Sequence, residues 1–256
     1  MEDKREQGTV VVTKNEGITT IEFFHPSHNS LPSKLLAKLA NAIKEAGRDV
    51  ATKVIILKSR GERTFCAGAS FDELVAIENL EAGKEFFSGF ANVINACRKC
   101  PKFIIGRIQG KAVGGGVGIA SAVDYCFATA FSSVKLSELA IGIGPFVVGP
   151  AVERKLGTSA FSQMSINATD WYTAEWAKEQ GLFASVSKDI AEMDEEIQKL
   201  AETLAKSNPE AMRLLKGVFW KGTNNWDELL AERAAMSGQL VLSDFTVKAI
   251  QRFKQK

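Results

Sequence analysis

The most informative segment of the chain is glycine-rich and runs from Gly110 to Ala120, with the sequence GKAVGGGVGIA. It follows an apolar stretch, Phe103–Ile108, that is typical of a buried β-strand. Three consecutive glycines at the start of a helix leave the backbone N–H groups unobstructed, and the helix dipole favours negative charge there. The lysine and hydroxyl residue of a P-loop are absent, and the glycine spacing does not match a dinucleotide-binding turn. Two interpretations are left, an anion-stabilising turn and close packing of a helix on a sheet.

Sequence patterns on either side of this segment predict an α/β part followed by a helical part. β-branched and aromatic residues predict strands at Thr9–Thr13, Ile18–Phe24, Val54–Leu57, Phe103–Ile108 and Tyr125–Thr129. Apolar residues at helical spacing predict helices at 32–48 and 81–97, and 59–70 is predicted to be irregular. From about Gly149 onward the chain is predicted to be almost wholly helical, with helices at Lys188–Lys206, Pro209–Lys221, Trp226–Leu240 and Asp244–Phe253. Strands that alternate with helices are typical of an α/β domain.

Two further segments carry residues suited to chemistry. Thr64–Ser70 reads TFCAGAS and forms a second glycine-containing turn after an apolar stretch. Lys135–Pro145 reads KLSELAIGIGP and places the carboxyl group of Glu138 among apolar residues. Taken in order, the patterns F-C-A-G-A, G-x-A-x-G-G-G and S-E-x-x-x-G-x-x-P resemble those of the enoyl-CoA hydratase/isomerase (crotonase) family. Pro26–Leu31 and Thr173–Leu182 are also similar to segments of that family, so the resemblance covers nearly the whole chain.

The resemblance implies a fold, an assembly and a substrate. The implied fold is α/β, a crotonase-like spiral of ββα units with a helical C-terminal part. We expect the spiral core to cover residues 1–195 and a helical trimerisation region to cover 196–256. The expected assembly is a homotrimer or a dimer of trimers. The expected substrate is an acyl-CoA thioester; coenzyme A enters as part of it, and neither a separate cofactor nor a metal is expected.

The resemblance also implies the residues of a site. The backbone N–H groups of Ala69 and Gly115 would form an oxyanion hole, and Glu138 would be the acid/base. Two preorganised donors aimed at a thioester oxygen gain strength as that oxygen becomes an enolate. The backbone of Ala67 would help to hold the adenine of coenzyme A. The other expected substrate-binding residues are Gly68, Gly114, Gly116, Pro145 and Phe146.

One position departs from the family pattern and favours one reaction over the others. Hydratases of the family carry two glutamates; Glu138 fills one of these positions, and Gly118 stands at the other. Hydration needs one group that activates water and a source for the second proton. A single carboxylate suits the transfer of a proton between two carbons of an enolisable acyl chain. Isomerisation of an enoyl-CoA is therefore the leading prediction, and the hydratase and decarboxylase reactions of the family are the alternatives.

Several neighbouring residues bear on these alternatives. Asp72 and Glu73 are either solvated charges at a helix start or the missing second group. Asp124, between a predicted helix and a predicted strand, is assigned a structural capping role. Residues 146–148, Phe-Val-Val, replace a glycine-rich stretch that the family usually has there, which predicts a more closed, apolar acyl pocket.

Composition and cysteine content argue against several other classes of protein. Of the 256 residues, 45% are apolar and 24% are charged, and the net charge of +2 does not favour a nucleic-acid or membrane surface. Residues 1–6 carry both signs of charge and no apolar stretch, so no signal or transit peptide is predicted and a cytoplasmic location is expected. Cys97 and Cys100 have C-x-x-C spacing and are interpreted as reduced thiols near a helix end, since no second pair completes a metal site.

A binding protein is the alternative from a different class. One branch of the family's hydratases binds RNA through a lysine-bearing helix, and Lys34, Lys38, Lys44 and Arg48 share one predicted helix here. The same helix region carries acidic residues and the net charge is small, so a solvated helix face is favoured and no nucleic acid is expected. A CoA-binding scaffold without catalytic activity is the other non-enzymatic alternative.

Overall fold

The computed structural model describes residues 8–254, in which strands form a large six-stranded sheet and a small four-stranded sheet. The strands are β1 (Thr9–Asn15), β2 (Ile18–Phe24), β3 (Val54–Ser59), β4 (Thr64–Cys66), β5 (Phe103–Ile108), β6 (Lys111–Val113), β7 (Tyr125–Thr129), β8 (Ser133–Lys135), β9 (Tyr172–Thr173) and β10 (Ser185–Ser187). The helices are α1 (Ser33–Arg48), α2 (Phe71–Val75), α3 (Leu80–Lys99), α4 (Gly115–Ala122), α5 (Gly149–Ile166), α6 (Ala174–Glu179), α7 (Ile190–Ala205), α8 (Pro209–Phe219), α9 (Trp226–Leu240) and α10 (Asp244–Lys254). A 3₁₀ helix spans Glu138–Ile141.

Consecutive ββα units build the two sheets together. The large sheet has the order β1-β2-β3-β5-β7-β10, and the small sheet has the order β4-β6-β8-β9. In the units that begin at β3, β5 and β7, the first strand joins the large sheet, the second joins the small sheet, and a helix follows. These strands pair in parallel within each sheet, so successive units stack in the same orientation. The architecture is the predicted α/β spiral with a helical C-terminal part.

Helices cover both faces of the large sheet. Side chains alternate along β3, so Ile55 and Leu57 belong to one apolar cluster, and Val54 and Ile56 belong to another. The first cluster includes the buried face of α1, and the second is closed by α7. Each fully buried aliphatic side chain of this kind contributes about 1.5–3 kcal/mol to stability. The α1 residues whose spacing predicted this helix, Leu35, Leu36, Leu39 and Ile43, are all buried.

Sequence patterns missed the small sheet and one strand of the large sheet. β4 lies in the stretch predicted to be irregular, and β9 and β10 lie in the part predicted to be almost wholly helical. These strands, like β6 and β8, have two or three residues each, too few to show a strand periodicity. Pairing with distant partners defines them instead; β10, for example, extends the large sheet beside β7.

The C-terminal helices are continuous with the core. The predicted boundary between residues 195 and 196 falls inside α7, where Met193 precedes it and Ile197 follows it, yet both pack on the large sheet. Further along, α9 packs on α3 so closely that the two backbones touch at Gly83 and Gly238. A Cβ on Gly83 would lie only 2.8 Å from the Cα of Gly238. The C-terminal part therefore contributes to the fold of a single chain. Its role in trimerisation stays a prediction.

Two further predictions concern membrane spans and targeting peptides. Among residues 8–254, no helix is both long enough and apolar enough to cross a membrane. Residues 1–6, on which the prediction of no signal or transit peptide depends, lie outside the described residues.

The C-x-x-C pair lies at the C-terminal end of α3. Cys97 and Cys100 are both free and buried, and burial raises the pKa of each thiol. Within the described part of the chain, no group of three or more His, Cys, Asp or Glu residues is placed to hold a metal ion. The pair therefore packs as two small apolar side chains.

Candidate active site

Three parallel strands of the small sheet end at one edge. β4 leads into Ala67–Ala69, β6 leads into Gly114 and Gly115, and β8 leads into Ser137 and Glu138. Because β6 pairs in parallel with both β4 and β8, the three segments lie side by side. They line one cavity of about 220 Å³. The fold thus brings together the three sequence segments that were predicted to carry chemistry.

Two glycines shape the backbone at this edge. Gly68 has a φ of 93° and Gly114 has a φ of 51°, values that residues with a Cβ rarely adopt. A Cβ on Gly114 would also lie 2.9 Å from Oε1 of Glu138, so the glycine lets the carboxyl group lie against the backbone. The N–H group of Gly114 donates to the carbonyl oxygen of Lys135 at 2.8 Å, which ties the end of β6 to β8.

The N–H groups of Ala69 and Gly115 are available at the cavity. Gly115 is the first residue of α4, where an N–H group has no partner within the helix. Within residues 8–254, neither N–H group donates to another protein group, and both residues line the cavity. The site therefore offers two backbone donors to a bound molecule.

Glu138 is the one ionisable side chain among the described residues that line this cavity. Its Oε2 atom is buried and has no hydrogen-bond partner. Burial disfavours the ionised form and raises the pKa of the Glu138 carboxyl to about 7, against the opposing effect of a hydrogen bond from its own backbone. Near neutral pH the group is present in both protonation states, which suits a group that takes up and returns a proton.

This raised pKa predicts how stability changes with pH. The folded protein favours the protonated carboxyl, so the contribution of Glu138 to stability is full below its ordinary pKa of 4.5 and is lost as pH rises through about 7. Each unit of pKa shift corresponds to about 1.4 kcal/mol. We expect the melting temperature of the wild type to fall relative to that of Glu138→Gln between about pH 4.5 and about pH 8. If the melting temperatures of the two proteins changed with pH in the same way over that range, the result would contradict the burial of the Glu138 carboxyl.

One wall of the cavity is aromatic, and no motif in the sequence predicted it. Phe86, Phe87 and Phe90 of α3 line it, together with Phe71 of α2. The three phenylalanines of α3 lie at helical spacing inside a predicted helix. That spacing indicated that one face of the helix is buried, but it did not indicate that this face lines a cavity. Ser237 of α9 also lines the cavity, because the close contact of α9 with α3 brings it there.

Eight of the nine predicted site residues line the cavity. Those that line the cavity are Ala67, Gly68, Ala69, Gly114, Gly115, Glu138, Pro145 and Phe146. Gly116 does not line it, and a Cβ there would lie 2.6 Å from the carbonyl oxygen of Cys66. Gly116 is therefore a position of close backbone packing, and its predicted contact with substrate finds no support in the geometry.

Neither Asp72 nor Glu73 is the missing second group. Oε2 of Glu73 accepts hydrogen bonds from the backbone N–H and the hydroxyl of Ser33 at 2.8 and 2.7 Å, which caps the start of α1. Asp72 is exposed, and neither residue lines the cavity. The catalytic alternative for these two residues finds no support in the geometry, because Glu73 is engaged with Ser33 and Asp72 is exposed.

Asp124 has structural contacts, but they join distant elements and do not cap a helix. Its carboxyl group forms a buried ion pair with Lys216 at 2.8 Å and accepts a hydrogen bond from the N–H of Ile104 at 2.8 Å. Trp220 donates to the same carboxyl group at 3.1 Å. Asp124 thus joins β5 to the C-terminal helices.

Val148 fills the space beside Gly118. A Cβ on Gly118 would overlap Cγ1 of Val148 and would lie 2.8 Å from its Cβ. Val148 is buried and lines the cavity. Two residues therefore exclude a second carboxylate at this place: Gly118 has no side chain, and Val148 occupies the space that a side chain there would need.

The fold and the site define an α/β enzyme class in which a ββα spiral holds one buried carboxyl group beside two free backbone donors. A sequence model described as enoyl-CoA hydratase/isomerase matches residues 13–256, and the chain belongs to this family. It is 26% identical to a probable enoyl-CoA hydratase of Bacillus subtilis (strain 168), over 93% of both chains. It is also 26% identical to the peroxisomal Delta(3,5)-Delta(2,4)-dienoyl-CoA isomerase of Arabidopsis thaliana, over 96% of this chain and 94% of the relative.

A solved structure has the same fold. The enoyl-CoA hydratase from Bacillus halodurans superposes with a TM-score of 0.88 and 19% identity, over 95% of this chain and 99% of that one. With the family match, this confirms the predicted crotonase-type fold. The relatives are enoyl-CoA hydratases and isomerases, so the protein is an enzyme of that type.

Proposed function

We propose that the protein isomerises the double bond of an enoyl-CoA thioester, with Glu138 as its acid/base. This proposal depends on one observation about Glu138. Within residues 8–254 it is the only ionisable side chain that lines the cavity, and its buried Oε2 atom has no hydrogen-bond partner. The carboxylate would remove a proton from C2 of a 3-enoyl thioester, leaving a dienolate. The same group, now protonated, would return the proton to C4 and give the 2-enoyl product.

The two free N–H groups support the same chemistry. Negative charge develops on the thioester oxygen when C2 loses its proton. We propose that the N–H groups of Ala69 and Gly115 donate to that oxygen as an oxyanion hole, since both lie at the cavity and neither has another partner. Ala67 and Gly68 would lie against the coenzyme A part of the substrate. The proposed reaction needs no cofactor beyond this coenzyme A.

Hydration of a 2-enoyl-CoA is the second candidate, because one relative over nearly the whole chain is named a probable enoyl-CoA hydratase. In that case a bound water would have to be activated by Glu138 alone. The apolar contact of Val148 with Gly118, where a second carboxylate would stand, favours isomerisation.

A panel of substrates distinguishes these reactions. The protein is incubated with matched 2-enoyl, 3-enoyl and 3-hydroxyacyl thioesters, and the products are identified by mass and NMR. Isomerisation conserves mass and hydration adds water; a 2-carboxyacyl thioester is included as well, because only a substrate with a free carboxylate can lose carbon dioxide. Rapid hydration of the 2-enoyl thioester without conversion of the 3-enoyl thioester would replace the isomerase proposal with the hydratase.

The Gly118–Val148 contact gives a prediction about gain of function. Gly118→Glu alone is expected to destabilise the protein, because its side chain meets Val148. The double variant Gly118→Glu, Val148→Gly opens that space and is expected to gain hydratase activity over the matched control Val148→Gly. Hydration is measured by the loss of 2-enoyl thioester absorbance. Equal hydration rates in the double variant and the control would contradict the proposed role of this position.

The assembly is a further part of the proposal. Helix α8 exposes Leu214, Leu215, Val218 and Phe219, and an exposed apolar helix face of this kind is suited to contact another chain. We propose a homotrimer or a dimer of trimers located in the cytoplasm. Light scattering measures the mass of the assembly directly, and a monomer would contradict this part of the proposal.

A further inference from the structure

A second cavity, of about 380 Å³, lies beside the one that contains Glu138. Pro145 and Phe146 line both cavities, so Phe146 stands between them. On α9, Ser237 lines the first cavity and Arg233 lines the second. Four residues of an α-helix rise about 6 Å, so the second cavity is within reach of a short acyl chain whose thioester lies in the first.

Arg233 has unused hydrogen-bonding capacity at this second cavity. Its Nε atom is buried and has no hydrogen-bond partner. A buried donor without a partner is costly, and such a group in a native protein calls for an explanation. The planar guanidinium group is suited to a carboxylate, which it can bind through two parallel hydrogen bonds.

The other charged group of this cavity does not neutralise Arg233. Glu153 also lines the cavity, but it is exposed, and its Oε1 atom accepts a hydrogen bond from the hydroxyl of Thr158 at 2.7 Å. Water and salt screen an exposed charge more strongly than a buried one. Phe146 and Phe161 supply apolar surface to the second cavity, and Phe146 lines the first cavity as well. The lining thus combines apolar contacts with a half-buried arginine whose Nε atom has no partner.

We propose that the second cavity receives the far end of the acyl group and that Arg233 binds a carboxylate there. The preferred substrate is then a coenzyme A thioester of a short dicarboxylic acid. This inference rests on the proposed function, because it requires the thioester to lie beside Glu138. It adds a specificity-determining residue from the C-terminal helices to the site.

Calorimetric titration with two saturated thioesters of equal length tests the inference. Glutaryl-CoA ends in a carboxylate and pentanoyl-CoA ends in a methyl group. The wild type is expected to bind glutaryl-CoA at least about 10-fold more tightly, as a hydrogen-bonded charge pair implies. Arg233→Gln is expected to remove this preference. The matched control Arg213→Gln, which makes the same change at an exposed arginine of α8, is expected to keep it.

A second variant keeps the test independent of how well Arg233→Gln folds. Ser162 is exposed and lines the second cavity, so Ser162→Asp adds a negative charge there with little steric change. It is expected to lower the preference for glutaryl-CoA through repulsion. Equal affinities in the wild type, or a preference that survives both substitutions, would overturn the inference and leave the proposed function standing. Absence of binding by both thioesters would overturn the proposed function itself.

Discussion

Glu138→Gln is expected to lower the rate of enoyl-CoA isomerisation by about 10²–10⁴-fold or more, the range that a positioned acid/base contributes. Glutamine preserves the shape of the side chain but cannot accept the proton from C2. Exchange of the α-hydrogens of an acyl-CoA with deuterated solvent should be lost to the same extent. Both reactions are followed by NMR, and binding of coenzyme A is measured beside them.

The expected pattern separates chemistry from binding. Coenzyme A affinity should be close to that of the wild type, since in the proposed mechanism Glu138 acts on the acyl group and not on the coenzyme A part. Glu85→Gln provides a matched control, because Glu85 is an exposed glutamate on α3, a helix that also lines the cavity. The wild-type rate should also rise with pH to a plateau above about 7, as the carboxyl group ionises. Normal deuterium exchange in folded Glu138→Gln would remove Glu138 from the mechanism.

Removal of the Gly115 N–H group is expected to have the second large effect. A side chain at Gly115 would overlap the ring of Phe90, so the test uses a Phe90→Ala background. Proline is well tolerated at the first position of a helix, where the N–H group has no helical partner. In that background, Gly115→Pro and Gly115→Ala both introduce a Cβ, but only Gly115→Pro removes the N–H donor.

The proline variant is expected to have a kcat about 10²–10³-fold below that of the alanine variant, the range measured for loss of one oxyanion-hole donor. Circular dichroism checks that both variants fold. Affinity for an acyl-CoA is measured as well, because the proline ring takes the position of the amide hydrogen. Equal kcat values in the two folded variants would show that the Gly115 donor has no part in the reaction.

The sequence motifs located the residues that meet at the cavity edge better than they located the cavity walls. Glu138, Ala69 and Gly115 were recognised from motifs, and three neighbouring strands bring them together. The aromatic wall from α3 and the placement of Ser237 depend on how distant helices pack, which no local pattern encodes. The same holds for Val148. The sequence showed that Gly118 and Val148 each depart from the family pattern, but it did not show that the two residues are in contact.

The accuracy of the fold prediction followed the length of each element. Phe103–Ile108 and Tyr125–Thr129 were predicted with their observed bounds, because each is a run of apolar and β-branched residues in a buried strand. The strands of the small sheet escaped detection, because their two or three residues take their conformation from pairing. The predicted boundary at residue 195 falls inside α7, whose apolar residues pack on strands that lie much earlier in the chain, and no pattern within the helix indicates that contact.

The contact between Gly83 and Gly238 has a consequence for the order in which the protein becomes active. During synthesis the N-terminal elements emerge first and can begin to fold before the rest of the chain is made. Both sheets are complete by β10, yet α9, which carries Ser237 and seats its backbone on α3, emerges last but one among the helices of residues 8–254. A nascent chain that ends before Trp226 therefore already holds Glu138 but leaves its cavity open along α3. The part of the cavity wall that Ser237 supplies is therefore added only after Glu138 and the residues of both sheets have been made.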